Sequence, residues 1–460
     1  MSSIEDTAQS TVRRIGPIAA TLIPGGILSL LSATIIGIAV PEIAADFPAD
    51  AEQVHWVATA ALLAAGVAIP ISGWASGRFG IRRTWLVALS LLTVSSVAVA
   101  LAPSLPLLIV FRIIQGLGAG ALEPVMLTAL ARAAGPARMG RVMGIAGASM
   151  SLGPLVGPLL GGLLVESIGW RWIFAIIATA AIVILVASAF ILPRDEPGNA
   201  ALDLLGLLFL SAASVLLLAG LSRAATASGV DGGVWALLGG GIVALLFFVW
   251  WLRRRGEQAI IDPSTFRARG FAPGVLIMLL VGAAIYPLLF GLPQFYREAV
   301  GLAPVAAGLL IGPYAIGTLT AMPMTGRLSD RIGARPLVVF GAILTALAAT
   351  LFVLAGAAAP LWWFALLSLL IGLGTGSVGG PTVGATYRAL TAEKIPSGST
   401  VLFVSNQIGG ALGIAIFAGI ITLSSPSGTW TSQLGTLPLV LPVIACLAIA
   451  LLAIRLDRAR

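Results

Sequence analysis

Long apolar stretches separated by short polar turns run from residue 17 to residue 454. A helix of roughly 20 apolar residues crosses a hydrocarbon layer of about 30 Å. Windows of that kind lie near residues 17–40, 55–76, 84–102, 106–129, 142–164, 172–193, 204–222, 233–252, 272–296, 303–325, 337–356, 361–382, 399–423 and 437–454. The pattern predicts an all-α polytopic membrane protein of fourteen helices. Twelve is the alternative, because residues 84–111 and 395–454 carry no charge and only Ala102-Pro103-Ser104 and Ser424-Ser425-Pro426-Ser427-Gly428 divide them.

One polar turn occurs twice. Residues 73–83 (Gly-Trp-Ala-Ser-Gly-Arg-Phe-Gly-Ile-Arg-Arg) and 326–336 (Gly-Arg-Leu-Ser-Asp-Arg-Ile-Gly-Ala-Arg-Pro) are both Gly-broken, Arg-rich turns between apolar windows. Such recurrence implies a duplicated bundle, the architecture in which two units rock around a central site. Six windows precede residue 194 and six follow residue 270. The expected organisation is therefore a six-helix bundle at 1–194, an inserted helix pair with flanking linkers at 195–269, and a second six-helix bundle at 270–460. The insert is poor in polar groups, so it is expected to lie beside the bundle and away from the pathway.

Composition narrows the class. With 58% hydrophobic and 10% charged residues and a mean hydropathy of +1.05, a soluble globular domain is excluded. The net charge of +8 does not point to nucleic acid, since the arginines cluster between apolar windows. If the N-terminus is cytoplasmic, 22 of the 26 basic residues fall on the inner side and three, Arg171, Arg223 and Arg297, on the outer. That bias predicts a multi-pass protein of the cell inner membrane with both termini cytoplasmic. No cleavable signal peptide is expected, because the first apolar run is long and lacks a following Ala-x-Ala-like site. The lone Cys446 lies in an apolar run and is read as packing. Neither a phosphate-cradling Gly-Lys-Ser/Thr sequence nor a Cys/His cluster occurs, so no cofactor, metal or ATP-driven step is expected and the driving force is a gradient.

Ionisable groups inside the windows are the candidate chemistry. Arg112 and Glu123 are eleven residues apart, about 20° beyond three helical turns, so they share a face at roughly 16 Å separation. Each costs at least ~2.5 kcal/mol near the middle of a span and is expected to face protein or a watery cavity. Glu123 is the leading proton-coupling candidate, since a carboxyl that changes charge as its surroundings alternate makes proton and substrate occupancy competitive. The alternative is a hydrated carboxyl pairing an inner-loop arginine. Gly153, Gly157 and Gly161 recur every four residues, which builds a face for close helix approach beside the bends of Pro154 and Pro158. Tight packing and a seal between the bundles are both open readings. His55 beside Trp56 reads as an interfacial anchor or a pH sensor.

These segments resemble the major facilitator superfamily. The repeated turns, with Gly73, Arg78, Gly80 and Arg82 in one and Gly326, Asp330, Arg331 and Gly333 in the other, look like its motif A and imply a gate. Arg112-Ile113-Ile114-Gln115-Gly116 looks like motif B, which implies proton relay for Arg112; bonding the backbone carbonyls of a broken helix is its other reading. Residues 153–162, including Gly157, Pro158, Gly161 and Gly162, look like the antiporter motif C. With fourteen windows and Trp170-Arg171-Trp172-Ile173-Phe174, the chain is similar to the 14-span drug:proton antiporters. The resemblance implies two pseudo-symmetric bundles plus two extra helices, a monomer in the lipid bilayer, and proton-coupled export of hydrophobic small molecules. A proton-independent facilitator or lipid mover, and a non-transporting sensor, are the alternatives. Ser32, Thr34, Gln115, Tyr286, Tyr314, Asn406 and Gln407 are the candidate pathway residues. Ser32 and Gly77 stand where the family has acids; these changes either remove proton coupling or shift it onto Glu123, and the second also removes an anchor from the inner gate.

Overall fold

The apolar helices bury one face, where small and hydroxylic residues stand among large apolar ones, and leave large apolar side chains on the other. The helix Ile81–Ala100 buries Trp85, Ala88, Leu92, Ser95 and Ser96, while Val87 and Val94 are 60% and 67% exposed. An outer surface of bare Val, Leu and Phe is what lipid solvates. Many buried serines and threonines donate to carbonyls of their own helices, as Ser96 does to Leu92 at 2.6 Å, so those hydroxyl protons need no partner from solvent.

The computed structural model describes residues 2–47, 49, 51–195, 198, 202–226, 232–356, 358–424 and 440–456. Its helices are α1 (Ser2–Thr34), α2 (Ile36–Asp46), α3 (Ala51–Phe79), α4 (Ile81–Ala100), α5 (Leu105–Ala134), α6 (Met139–Ile168) and α7 (Trp170–Ile191), then α8 (Leu204–Thr226) and α9 (Gly232–Arg255). They continue with α10 (Phe271–Glu298), α11 (Pro304–Leu309), α12 (Gly312–Ile332), α13 (Ala334–Ala355), α14 (Leu361–Arg388), α15 (Ile395–Ser424) and α16 (Val440–Ala453). Among the described residues twelve helices are long and apolar enough to cross a membrane. The windows at 142–164 and 437–454 fall on α6 and α16, outside those twelve; α16 is an apolar helix of 14 residues. The Ser425–Gly428 divider lies outside the described residues, as do Glu196 and Pro197 of the linker after α7.

Two expected single helices are interrupted. The first window breaks at Ile35, between α1 and α2, where the Ser32 carbonyl accepts a side-chain donor from another helix. The window at 303–325 splits into α11 and α12, because Pro313 has no N–H to continue a ladder into Leu309.

In both Arg-rich turns the last glycine reverses the chain. Gly80 and Gly333 have φ of 88° and 85° with extended ψ, a region essentially closed to residues with a Cβ. Each ends one helix and starts the next, which is why the pattern repeats.

The inserted pair is anchored to its flanking linkers. Buried Asp203 accepts the N–H of Gly206 at 3.0 Å, starting α8, and those of Trp251 Nε1 at 2.8 Å and Ile260 at 3.1 Å. α8 then lies against α3, where Gly66 meets Leu218 and Ser214, and against α15, where Leu217 and Leu238 cluster with Ala411 and Ala415. Contrary to expectation, the insert does not stand clear of every cavity: Ser222 of α8 lines one, with its hydroxyl 3.3 Å from that of Thr59.

Candidate functional site

At the Arg-rich end, helices α1–α7 meet α10–α16 closely. Gly326 of α12 lies against the backbone of Gly140 and Gly144 of α6, and Gly73 of α3 lies against Thr400 and the Pro396 carbonyl of α15. The first glycines of the two repeated turns therefore make the two crossings. Four residues on, the turns differ. Asp330 accepts the N–H groups of Gly140 and Arg141, both at 2.8 Å, and pairs with Arg388 at 2.7 Å. A carboxylate at a helix N-terminus meets unsatisfied N–H groups and a favourable dipole. Gly77 offers no such group. The α3–α15 side is held instead by Thr128 and Ser399 hydroxyls at 2.8 Å and by Arg132 Nε donating to the Ala392 carbonyl at 3.1 Å. Arg78, Arg327 and Arg331 are exposed. Among the described residues every hydrogen bond between α1–α7 and α10–α16 lies at this end.

Further into the bundle, Arg112 of α5 is 1% exposed. Its Nε donates to the Val57 carbonyl at 3.0 Å, and its Nη1 donates to the Ser32 carbonyl at 3.1 Å and to Gln115 Oε1. Gln115 Nε2 donates to Ser96 at 2.7 Å, and Phe174 presents its ring 5.7 Å from the guanidinium. Five helices are tied by this network, and the Ser32 carbonyl at the α1–α2 break is one of its acceptors. A cavity of about 200 Å³ adjoins it, lined by Ser32, His55, Thr59, Arg112, Gln115 and Ser222 among others.

Glu123 lies beyond that cavity. It is half-buried, forms no hydrogen bond or ion pair among the described residues, and is within electrostatic reach of Tyr286 on α10. Tyr286 is 36% exposed and packs on Gly410 of α15. Asn406 Nδ2 donates to the Met278 carbonyl at 3.1 Å, tying α15 to α10, and Gln407 has a buried Oε1 without a partner.

Other candidates take packing roles in this conformation. Tyr314 is 8% exposed and belongs to a buried cluster with Phe352 and Phe364, because α14 approaches it through Gly372. Thr34 donates to the Leu30 carbonyl at 3.0 Å and to that of Gly153 at 3.2 Å, and its side chain meets Gly157. The Gly153–Gly157 face thus packs α6 on α1, not on α10–α16. Gly161 continues it, and Pro158 and Gly162 lie in α6 with surroundings outside the described residues.

The family model described as Major Facilitator Superfamily matches residues 22–252, 204–414 and 274–460. The chain belongs to the major facilitator superfamily. The multidrug resistance protein B homolog of Mycobacterium tuberculosis is 33% identical over 401 residues, covering 86% of this chain and 74% of that protein. YhcA of Bacillus subtilis, an MFS-type transporter, is 29% identical over 403 residues, covering 87% and 75%. Among solved structures, the proton:xylose symporter XylE has a TM-score of 0.68 at 16% identity, covering 97% of both chains. The human organic anion transporter MFSD10 has a TM-score of 0.63 at 16% identity, covering 95% of this chain and 99% of its own. These two structures establish the fold.

Within this superfamily fold, several residues escaped the sequence reading. Asp46, ending α2, accepts Trp170 Nε1 at 2.9 Å and pairs with Arg171, which also covers the Trp170 ring at 4.4 Å. The indole N–H and then the guanidinium hold the Asp46 carboxyl below the usual carboxylate range. Asp195 accepts the Arg82 N–H at 2.8 Å, capping α4 beside a cavity of about 410 Å³ that Arg132 also lines. Burial pushes the Asp262 carboxyl up, but Ser264 and Lys394 outweigh it and hold it low; Lys394 sits 3.1 Å away. Glu42 of α2 has a buried Oε2 with no partner.

Proposed function

We propose that this transporter exports hydrophobic small molecules, cationic or neutral, across the inner membrane in exchange for protons bound by Glu123. The observation that carries the reading is the position of Glu123: a half-buried carboxyl with no hydrogen bond or ion pair among the described residues, within electrostatic reach of Tyr286 of the other set of helices. Such a group is free to exchange a proton for a substrate cation at one site.

The positive-inside bias makes the Arg-rich end cytoplasmic. With Asp330 capping α6 there, the conformation is closed to the cytoplasm. Export then requires breaking this lock, so that the two bundles at 1–194 and 270–460 rock around the site. Counting α6 and α16 with the twelve candidate spans gives fourteen, and the even insert at 195–269 keeps both termini cytoplasmic. A single chain holds both bundles, which supports a monomer. Relatives named multidrug resistance proteins support the cargo class. One charge moving through ~100 mV supplies about 2.3 kcal/mol, enough for a useful gradient.

The test is efflux of a cationic dye from proteoliposomes under an imposed pH gradient. Wild type accelerates efflux; Glu123→Gln, inserted at the same density, does not, whereas Glu42→Gln does. A second reading, a proton-independent facilitator, is favoured by the absence of a carboxylate around Arg112. It predicts flux indifferent to the pH gradient and equal in Glu123→Gln.

A further inference from the structure

The cavity of about 200 Å³ between α1, α3, α5 and α8 places a buried cation beside empty space with no acid in reach. Arg112 carries five N–H groups. Three are engaged, by the Val57 carbonyl, the Ser32 carbonyl and Gln115 Oε1. The two on Nη2 have no acceptor among the described residues. All three acceptors are neutral dipoles, so one full positive charge stays uncompensated at a residue that is 1% exposed. A buried charge without a counter-charge is among the most costly groups a fold can hold.

Among the described residues none supplies that counter-charge. None of the thirteen residues lining the cavity is acidic. Gln115 cannot turn away, since its Nε2 is held by Ser96. The remaining lining is polar but not acidic: Thr59 and Ser222 hydroxyls share a hydrogen bond at 3.3 Å, and His55 stands at the same space. The volume is several times the roughly 30 Å³ that a water occupies in the liquid, which suits a halide or a carboxylate group.

We infer that this cavity is a binding site for one small monovalent anion, either a chloride ion or a carboxylate group of a substrate, seated on the free edge of Arg112. One net positive charge selects one negative charge; sulfate would leave a surplus charge in a poorly solvated space. The site includes Ser222, so the inserted helix α8 closes it. The inference is independent of proton coupling and stands whether or not Glu123 carries a proton.

The experiment titrates purified full-length protein in detergent with sodium chloride or sodium acetate, ionic strength being held with sodium sulfate, and follows thermal unfolding. Wild type gains a saturable rise in unfolding temperature with chloride and with acetate, the two competing. Ser32→Asp places a permanent carboxylate where the Ser32 carbonyl already meets Arg112 Nη1 at 3.1 Å. This variant unfolds at or above the anion-free wild-type temperature and shows no saturable response. Arg112→Gln also loses the response. Proteoliposomes then separate the sources: movement of radiolabelled benzoate supports a substrate carboxylate, and binding without movement of either label supports a resident chloride. A response equal for chloride and sulfate, or equal in wild type and Ser32→Asp, overturns the proposal. Because binding is read without flux, failure here is distinct from failure of export.

Discussion

The carboxylate of Asp330 accepts the backbone N–H of Gly140 at 2.8 Å, pinning the first turn of α6 to the last turn of α12. The corresponding crossing of α3 and α15 has Gly77 where that carboxylate would be. The nearby acid is Asp195, which caps α4 within its own set of helices. The two repeated turns therefore share a backbone but divide the work. The second supplies a carboxylate lock between the bundles, and the first supplies close glycine packing, with a hydroxyl pair and an Arg132–carbonyl bond holding that side.

Asp330→Asn tests that division. Hydrogen bonds to a charged group contribute about 1.5–3 kcal/mol, and each 1.4 kcal/mol is tenfold in an equilibrium. The Arg-rich end is expected to open in a population larger by roughly tenfold or more. Spin labels at Arg141→Cys and Arg327→Cys read it as a longer distance component. An unchanged distance distribution contradicts the lock.

Gly333→Ala tests the turn itself. With φ at 85° and ψ at 166°, the alanine is strained by about 1–3 kcal/mol. The unfolding temperature in detergent falls, whereas Gly16→Ala, in open space within α1, leaves it unchanged or slightly higher, alanine being the better helix former. Equal behaviour of the two variants contradicts the strain argument.

Asp46 gives a pH dependence whose sign follows from its environment. Its carboxyl is held low in the fold by Trp170 and then Arg171. The stabilisation is therefore present above the unfolded value near 3.9 and is lost as pH falls through the lower folded value. With both partners more than 40% exposed, the ion pair is worth about 0–1 kcal/mol. Asp46→Asn removes this part of the acid sensitivity and leaves stability at pH 7 slightly lower. An identical pH profile for wild type and variant contradicts it.

The fold was legible because its signals are local. An apolar window, a Gly-Arg turn or a four-residue glycine repeat is read within a few dozen residues, and the turns at Gly80 and Gly333 have the matched backbone that their repeated spacing implies. The site was legible in part. Arg112, Gln115, Gly116 and Ala119 line one cavity, as the helical face of α5 requires, whereas Glu123 on the same face is not part of its lining and lies within electrostatic reach of Tyr286. The partners were hidden by distance along the chain: 125 residues for Asp46 and Arg171, 113 for Arg82 and Asp195, 163 for Thr59 and Ser222. Tyr314 looked like a pathway residue beside its kink, but Gly372 lets α14 come close enough to bury it. No periodicity within α12 reports that approach.

The most direct test of the account is proton release on substrate binding. Purified protein in weakly buffered detergent is mixed with a cationic dye substrate, and a pH indicator reads the protons set free. Wild type releases about one proton per dye bound, as competition at a single carboxyl requires. Glu123→Gln binds without releasing any. Release of the same proton by Glu123→Gln would show that the exchange takes place elsewhere.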